Sequence, residues 1–228
     1  MPENAYTTFH SQRVGAHLYP TEFVVRTMLG TYPGLKLERK YKNARLLDLG
    51  FGDGRNFPLF ANLEVRIYGA EPDRELCSLV SERMRPLGIQ CELRPGSNAH
   101  VPFEDGFFDY VVACHSIYYV DSGDTFSQNV AEAARVLKPG GWIIASVPDR
   151  ENFILAGADA LPDGHWRIRS DPYGLRNGSI FRAFADRQEV AAAFTDCFEE
   201  LSIASFRDDW YGILVSGFVV VARRSETA

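Results

Sequence analysis

Arg45-Leu-Leu-Asp-Leu-Gly-Phe-Gly-Asp-Gly54 is the stretch that decides how this chain folds. An apolar run of strand length that breaks into glycines at every second position reads as a buried strand feeding a tight turn. Downstream come a helix-like stretch, a second strand over Val65–Ala70, and a helix over Arg74–Arg85 closed by Pro86-Leu87-Gly88. Leu76, Leu79, Val80 and Met84 give that helix one apolar face. A short strand over Gln90–Arg94 and an apolar strand over Phe108–Cys114 follow. Next are a helix over Phe126–Val136, a turn at Leu137-Lys-Pro-Gly-Gly141, and a fifth strand over Trp142–Val147. Strands alternating with helices predict a parallel sheet covered on both faces through right-handed crossovers, a doubly wound, Rossmann-like α/β fold. Leu201–Phe206 and Gly217–Val221 are separated by only about ten residues with no helix, which predicts an antiparallel hairpin at one edge.

Four segments follow from this order. Residues 1–44 form a helical extension, with Thr21 as N-cap ahead of Phe23, Val24, Met28 and Leu29 and a stop near Gly30. Residues 45–148 are the α/β core. In residues 149–185 the alternation breaks, and Asn177-Gly178 between Leu175 and Ile180 reads as a tight hairpin turn. Residues 186–228 hold a last helix, opened by the capping-box pattern Asp186-Arg-Gln-Glu189, and the two terminal strands.

With 228 residues, 46% hydrophobic and 24% charged, the chain can bury one good core. It has no run of eighteen apolar residues, and Met1-Pro2-Glu3-Asn4-Ala5 has no basic or apolar leader pattern, so a cytoplasmic protein without membrane contact is expected. Cys77, Cys91, Cys114 and Cys197 form no Cys-x-x-Cys pair and have no His at ligand spacing, which predicts reduced thiols and no metal site. A formal net charge of −6 gives no general attraction to phosphate backbones. A small-molecule substrate is therefore expected, with no nucleic acid partner; monomer and homodimer stand equally open.

In a doubly wound sheet, ligands bind beyond the carboxyl ends of the strands, where the glycine turn sits. Gly50, Gly52 and Gly54 are spaced G-x-G-x-G, not the G-x-G-x-x-G that cradles a diphosphate. S-adenosylmethionine has no phosphate and presents an ammonium, a carboxylate and a sulfonium. Asp48 and Asp53 can offset such positive groups directly or through water. Glu71 ends the second strand seventeen positions after Gly54, where a carboxylate can accept from both ribose hydroxyls. Asp73 is the next carboxylate, and it equally suits a helix N-terminus.

Leu46–Gly54, Tyr68–Asp73, Val101-Pro-Phe103 ahead of Phe108–Val112, and Leu137–Gly141 together resemble the class I S-adenosylmethionine-dependent methyltransferases. They look most like the small-molecule branch often called type 11, and the resemblance fades after Pro148. It implies a seven-stranded sheet with the last strand antiparallel. It also implies that Asp48 and the Gly50–Gly54 loop hold the methionine portion, Glu71 the ribose, and Pro72 the adenine face. Family members usually carry Asp-Ala where this chain has Asn98-Ala99; the Asn98 amide oxygen can still accept from the adenine amino group, and Ala99 offers its backbone N–H. Phe51 stands where many members have Cys.

For methyl transfer to an oxygen or nitrogen of a sugar, nucleotide-sugar or natural-product intermediate, alignment does much of the work, and His115 after the fourth strand is the candidate base. It could instead order its loop or meet the cofactor through backbone. Tyr118 and Tyr119 either line an acceptor pocket or start core contacts. The 149–185 segment is a candidate lid, with His165, Trp166, Arg167, Arg169, Asp171, Tyr173 and Arg176 as its polar and aromatic groups. Asp208-Asp209-Trp210-Tyr211 form a further patch, and Tyr6, Phe9, His10 and Tyr19 could close from the N-terminal side. The rival readings are a protein or RNA methyltransferase, a nicotinamide-dependent oxidoreductase, which the G-x-G-x-G spacing disfavours, and a non-catalytic cofactor-binding protein.

Overall fold

The computed structural model describes residues 8, 9 and 19–226. Its elements are α1 (Glu22–Leu29), β1 (Arg45–Leu49), α2 (Phe57–Asn62), β2 (Arg66–Glu71), α3 (Arg74–Met84), β3 (Cys91–Pro95), β4 (Phe108–Ala113) and β5 (Tyr119–Val120). The chain continues through α4 (Phe126–Val136), β6 (Leu137–Pro148), β7 (Asp159–Ala160), β8 (His165–Arg167), β9 (Ile180–Arg182), α5 (Arg187–Phe194), β10 (Phe198–Trp210) and β11 (Ile213–Arg224). Seven strands form one sheet in the order β10-β11-β6-β4-β1-β2-β3, parallel except that the last strand, β11, runs antiparallel to both neighbours. This is the Rossmann-like architecture expected from the alternation.

The sheet has an apolar layer on each side. Leu47 and Leu49 of β1 join Phe126, Val130, Val190 and Phe194 of α4 and α5 on one face. Leu46 joins Val24, Met28, Phe57, Phe60, Leu76 and Val80 of the first three helices on the other. Central strands buried on both faces explain the unbroken apolar runs in the sequence. The helix starts are fixed by side chains: Asp73 accepts from the Glu75 and Leu76 N–H groups, and Thr125 and Gln128 form a reciprocal capping box on α4.

Five local expectations change. Thr21 flanks α1 without a side-chain cap; its own N–H donates to Asn56 Oδ1 at 3.0 Å, so tertiary bonding replaces the local cap. Asp186 does cap α5, but Glu189 turns to the Ala185 N–H and to Arg182 and Arg150, which outcompete the reciprocal bond. Leu137–Gly141 is a bulge inside β6, not a free turn: β4 residues 108 and 110 pair with residues 137 and 142. The terminal strands are longer than expected and are joined by Tyr211-Gly212, whose φ values of 54° and 90° match a two-residue hairpin turn.

The fifth change concerns residues 149–185, whose β7, β8 and β9 join β5 in a small antiparallel sheet in the order β5-β9-β8-β7. Asn177-Gly178 is not its hairpin turn. The β8–β9 ladder continues through Ile168 and Ser179, and Asp171 organises the long connection, accepting from the N–H groups of Tyr173, Leu175 and Arg176. Asn177 contributes through its side chain, accepting from Asp171 N. All four cysteines are free thiols. Among the described residues, no helix is long and apolar enough to cross a membrane.

Candidate active site

The strand order reverses between β1 and β4: the chain moves outward from β1 to β2 and β3, then crosses back to β4 on the other side. Loops leaving neighbouring strands in opposite directions open a crevice at this switch point. The glycine turn after β1 and the loop after β4 meet there, so closely that a Cβ on Gly50 would lie 2.4 Å from Ser116 Cβ. Gly50, Gly52 and Gly54 have φ values of 70°, 55° and 71°, a backbone region that side chains disfavour. The Ser116 hydroxyl closes the junction by donating to the Leu49 carbonyl.

A cavity of about 310 Å³ occupies the crevice. It is lined by Gly50, Glu71, Pro72, Asn98, His115, Tyr119 and Arg176, all anticipated from the sequence. Ser97, Ser116, Asp121, Leu175 and Ser179 also line it and carried no distinguishing sequence signal. Glu71, 5% exposed, accepts from the Gly52 N–H at 3.1 Å. Burial pushes its carboxyl up to about 7; the Gly52 N–H works against that rise and Asp73 adds to it. Asp48 is fully buried, and neither carboxylate oxygen has a hydrogen-bond partner among the described residues. Burial pushes it up to about 8, with the Asn56 amide opposing and Glu71 and Asp53 reinforcing. Asn98 Nδ2 donates to the carbonyls of Ser116 and Tyr119 at 2.8 and 3.0 Å, which turns its Oδ1 into the group left to accept.

His115 follows β4 with φ of 55°, a conformation uncommon outside glycine. Ser146 on β6 holds it twice: its hydroxyl accepts from the His115 N–H at 2.9 Å and pairs with ring Nδ1 at 3.1 Å. His115 is exposed, its imidazole opening onto the cavities it borders. The protein atoms packed around the ring push its pKa down to about 4, and Arg176 and Arg55 act in the same direction. A lowered pKa leaves the ring neutral at pH 7 and free to take a proton.

Several anticipated residues lie elsewhere. Asp53 is committed to Arg55 at 2.7 and 2.8 Å, whereas Asp73 lines the smaller cavity while also capping α3. Phe51 packs against Phe57, Gly52 and Gly54 shape the turn from outside the cavity, and Ala99 lies in the tight turn between Ser97 and His100. Tyr118 is a core residue stacked on Tyr119 and edge-on to Phe181. His165 pairs with the Pro162 carbonyl, Trp166 packs on the core, Arg169 pairs with Asp159, and exposed Tyr173 touches neither cavity. Trp210 borders a second, larger cavity that also includes His115, whereas Tyr211 is fully exposed at the hairpin tip. Tyr19 is exposed; Tyr6 and His10 lie outside the described residues. Among the described residues, no cluster of His, Cys, Asp or Glu is placed to hold a metal ion.

A partnerless buried carboxylate beside a glycine turn, and a second carboxylate at the next strand end, fit a ligand with cationic and hydroxyl donors and no phosphate. Residues 47–145 match the family described as the methyltransferase domain. The chain is 29% identical over 118 residues to a probable S-adenosylmethionine-dependent methyltransferase of Mycolicibacterium smegmatis, covering 52% of this chain and 43% of the relative. It is 30% identical over 105 residues to a sterol 4-C-methyltransferase of Caenorhabditis elegans, covering 45% and 30% respectively. The chain thus spans less than half the length of these two relatives. A crystal structure of an S-adenosylmethionine-dependent methyltransferase from Methanosarcina mazei shares the fold, with a TM-score of 0.64 at 20% identity, covering 86% of this chain and 98% of that one. Residues 47–145, which build the crevice, thus match the methyltransferase-domain family, and the chain has the fold of an S-adenosylmethionine-dependent methyltransferase of known structure.

Proposed function

We propose that this chain transfers a methyl group from S-adenosylmethionine to an oxygen or nitrogen atom of a small-molecule acceptor. The observation that carries the reading is one cavity lined by Gly50, Glu71 and His115, entered by the turn that follows a buried, partnerless Asp48 on β1. When bound, the cofactor supplies an electrophilic methyl on a sulfonium, whose C–S electron pair stays on sulfur as the new bond to the acceptor forms. Asp48 offsets positive charge, the Gly50–Gly54 backbone approaches the methionine portion, and Glu71 accepts from the ribose hydroxyls. Pro72 packs on the adenine, and Asn98 Oδ1 accepts from its amino group.

His115 takes the acceptor's proton through Nε2, the ring nitrogen not engaged by Ser146. Residues 149–185 act as a lid over the cofactor, since Leu175, Arg176 and Ser179 form part of the cavity wall and Arg176 Nε donates to the Tyr119 hydroxyl at 3.1 Å. A net charge of −6 favours a sugar, nucleotide-sugar or other natural-product intermediate over RNA. The test has two arms. Calorimetry with S-adenosylhomocysteine should show one site per chain, and acceptor screening with labelled cofactor should yield a product heavier by one methyl group. Absence of S-adenosylhomocysteine binding overturns the reading.

A further inference from the structure

We infer that the larger cavity is the acceptor chamber, and that it takes an apolar, flat or chain-like molecule with one nucleophilic hydroxyl or amine at its inner end. This inference rests on the smaller cavity being the cofactor site. The chamber measures about 770 Å³, within the usual size range for small-molecule sites.

Its position comes first. His115 borders both cavities, with its ring edge-on to Phe23 of α1 at 5.3 Å and to Phe206 of β10 at 6.4 Å. Both phenylalanines line the chamber, so the imidazole forms its inner end and faces the cofactor cavity beyond. Directly opposed residues of an antiparallel pair share a face. Ala204 pairs with Val219, Ser202 with Val221 and Asp208 with Val215, and all six line the chamber. The chamber is therefore one face of the β10–β11 hairpin, walled by α1.

Its chemistry narrows the ligand. Several charged and polar groups around it already have partners among the described residues, though the Asp208 and Trp210 side chains do not: Arg26 pairs with Glu22 at 2.7 Å, and Arg187 donates to the Ser205 hydroxyl at 3.0 Å. Ser202 Oγ accepts from Lys36 N at 3.1 Å, and Thr21 N is bound to Asn56. A sugar carries a hydroxyl on almost every carbon, and away from Asp208 and Trp210 each one buried here would give up water for an apolar wall or a group already engaged. An aromatic or hydrocarbon body loses nothing comparable and gains by leaving water. The chamber thus selects against the sugar and nucleotide-sugar acceptors that net charge alone allowed.

The experiment titrates 4-alkylphenols, from ethyl to hexyl, and glucose into the chain saturated with S-adenosylhomocysteine. The Kd for the phenols should fall about fourfold per added methylene, and glucose should show no binding. Ala204→Trp, on the edge strand, fills the chamber and should weaken hexylphenol at least tenfold while S-adenosylhomocysteine binds as in the parent chain. Val215→Trp fills the same face from β11 and serves if the first variant does not fold. Phenol affinity independent of chain length, equal affinity in the filled variants, or glucose binding as tightly as the phenols overturns the chamber. If the phenols behave as expected but S-adenosylhomocysteine does not bind the parent chain, the cofactor reading fails and the apolar chamber stands.

Discussion

The two cavities that meet at His115 are built from different parts of the sheet. The smaller one lies between loops leaving the parallel strands β1, β2 and β4; Glu71, with a single bond to Gly52, lines it, and the partnerless Asp48 sits on β1 just ahead of its glycine turn. The larger one lies on the antiparallel hairpin β10–β11, where several polar groups are bonded to one another and apolar side chains face much of the space. The difference teaches how one fold can hold a constant ligand and a variable one. A crevice of unsatisfied polar atoms recognises a particular pattern of donors, and an apolar sheet face recognises shape and size.

The sharpest way to break this comparison is at the shared wall. His115→Ala should lower turnover by about 10²–10⁴-fold if the ring takes the acceptor's proton, with S-adenosylhomocysteine affinity changed far less. Equal turnover in both proteins assigns the ring to loop order alone. The next largest effect belongs to the polar cavity: Glu71→Ala should weaken S-adenosylhomocysteine by about 10–100-fold in calorimetry while leaving hexylphenol affinity unchanged, because charge-assisted bonds are at stake. Asp171→Ala removes the carboxylate that ties residues 171–176 together and should cost about 3 kcal/mol in denaturant unfolding. It should also weaken S-adenosylhomocysteine, since Leu175 and Arg176 hang from that knot.

A smaller effect comes from protons. Asp48 and Glu71 are raised to about 8 and about 7, above their ordinary values of 3.8 and 4.5, so the folded chain keeps protons that the unfolded chain has released. Their contribution to stability is greatest below the ordinary values and is lost as pH rises through the folded ones. The melting temperature of the ligand-free chain should drop by several degrees between about pH 5 and pH 8 on this account, and Asp48→Asn should flatten the curve. A cationic ligand favours the ionised carboxylates, so cofactor binding near pH 6.5 should release protons, measurable as a dependence of binding heat on buffer. The smallest effect is the control: Tyr211→Ala, at the fully exposed hairpin tip, should change stability by no more than about 0.5 kcal/mol and leave both ligands' affinities alone.

The polar cavity was legible in the sequence because its parts are local: a glycine turn, a carboxylate at the next strand end and an Asn-Ala pair each announce themselves within a few residues. The apolar chamber was not. Phe23, Ala204, Phe206 and Val219 come from opposite ends of the chain and read as ordinary core or surface positions. Ser146, which holds His115 by two contacts, looks like any strand residue because only the β4–β6 pairing brings it there. In residues 149–185 the strands β7, β8 and β9 are two or three residues long, too short to show a period. Trp166 reads as part of a lid and Tyr118 as either pocket lining or core; the small sheet partly buries Trp166 on the core, and Tyr118 takes the second place, edge-on to Phe181.

One wall of the chamber, β10, is the outermost strand of the large sheet, bonded to β11 on one side and carrying a register break between Glu199 and Ser202 on the way. A strand laddered on a single side opens at lower free energy than the central ones, so its amides should exchange with deuterium well before those of β1 and β4. The cofactor crevice is thus set in the stiff middle of the protein, while the acceptor lies against a wall that can yield. Evolutionary change of acceptor then falls on a strand whose alteration leaves the central ladder, and the methyl-donor site built on it, intact.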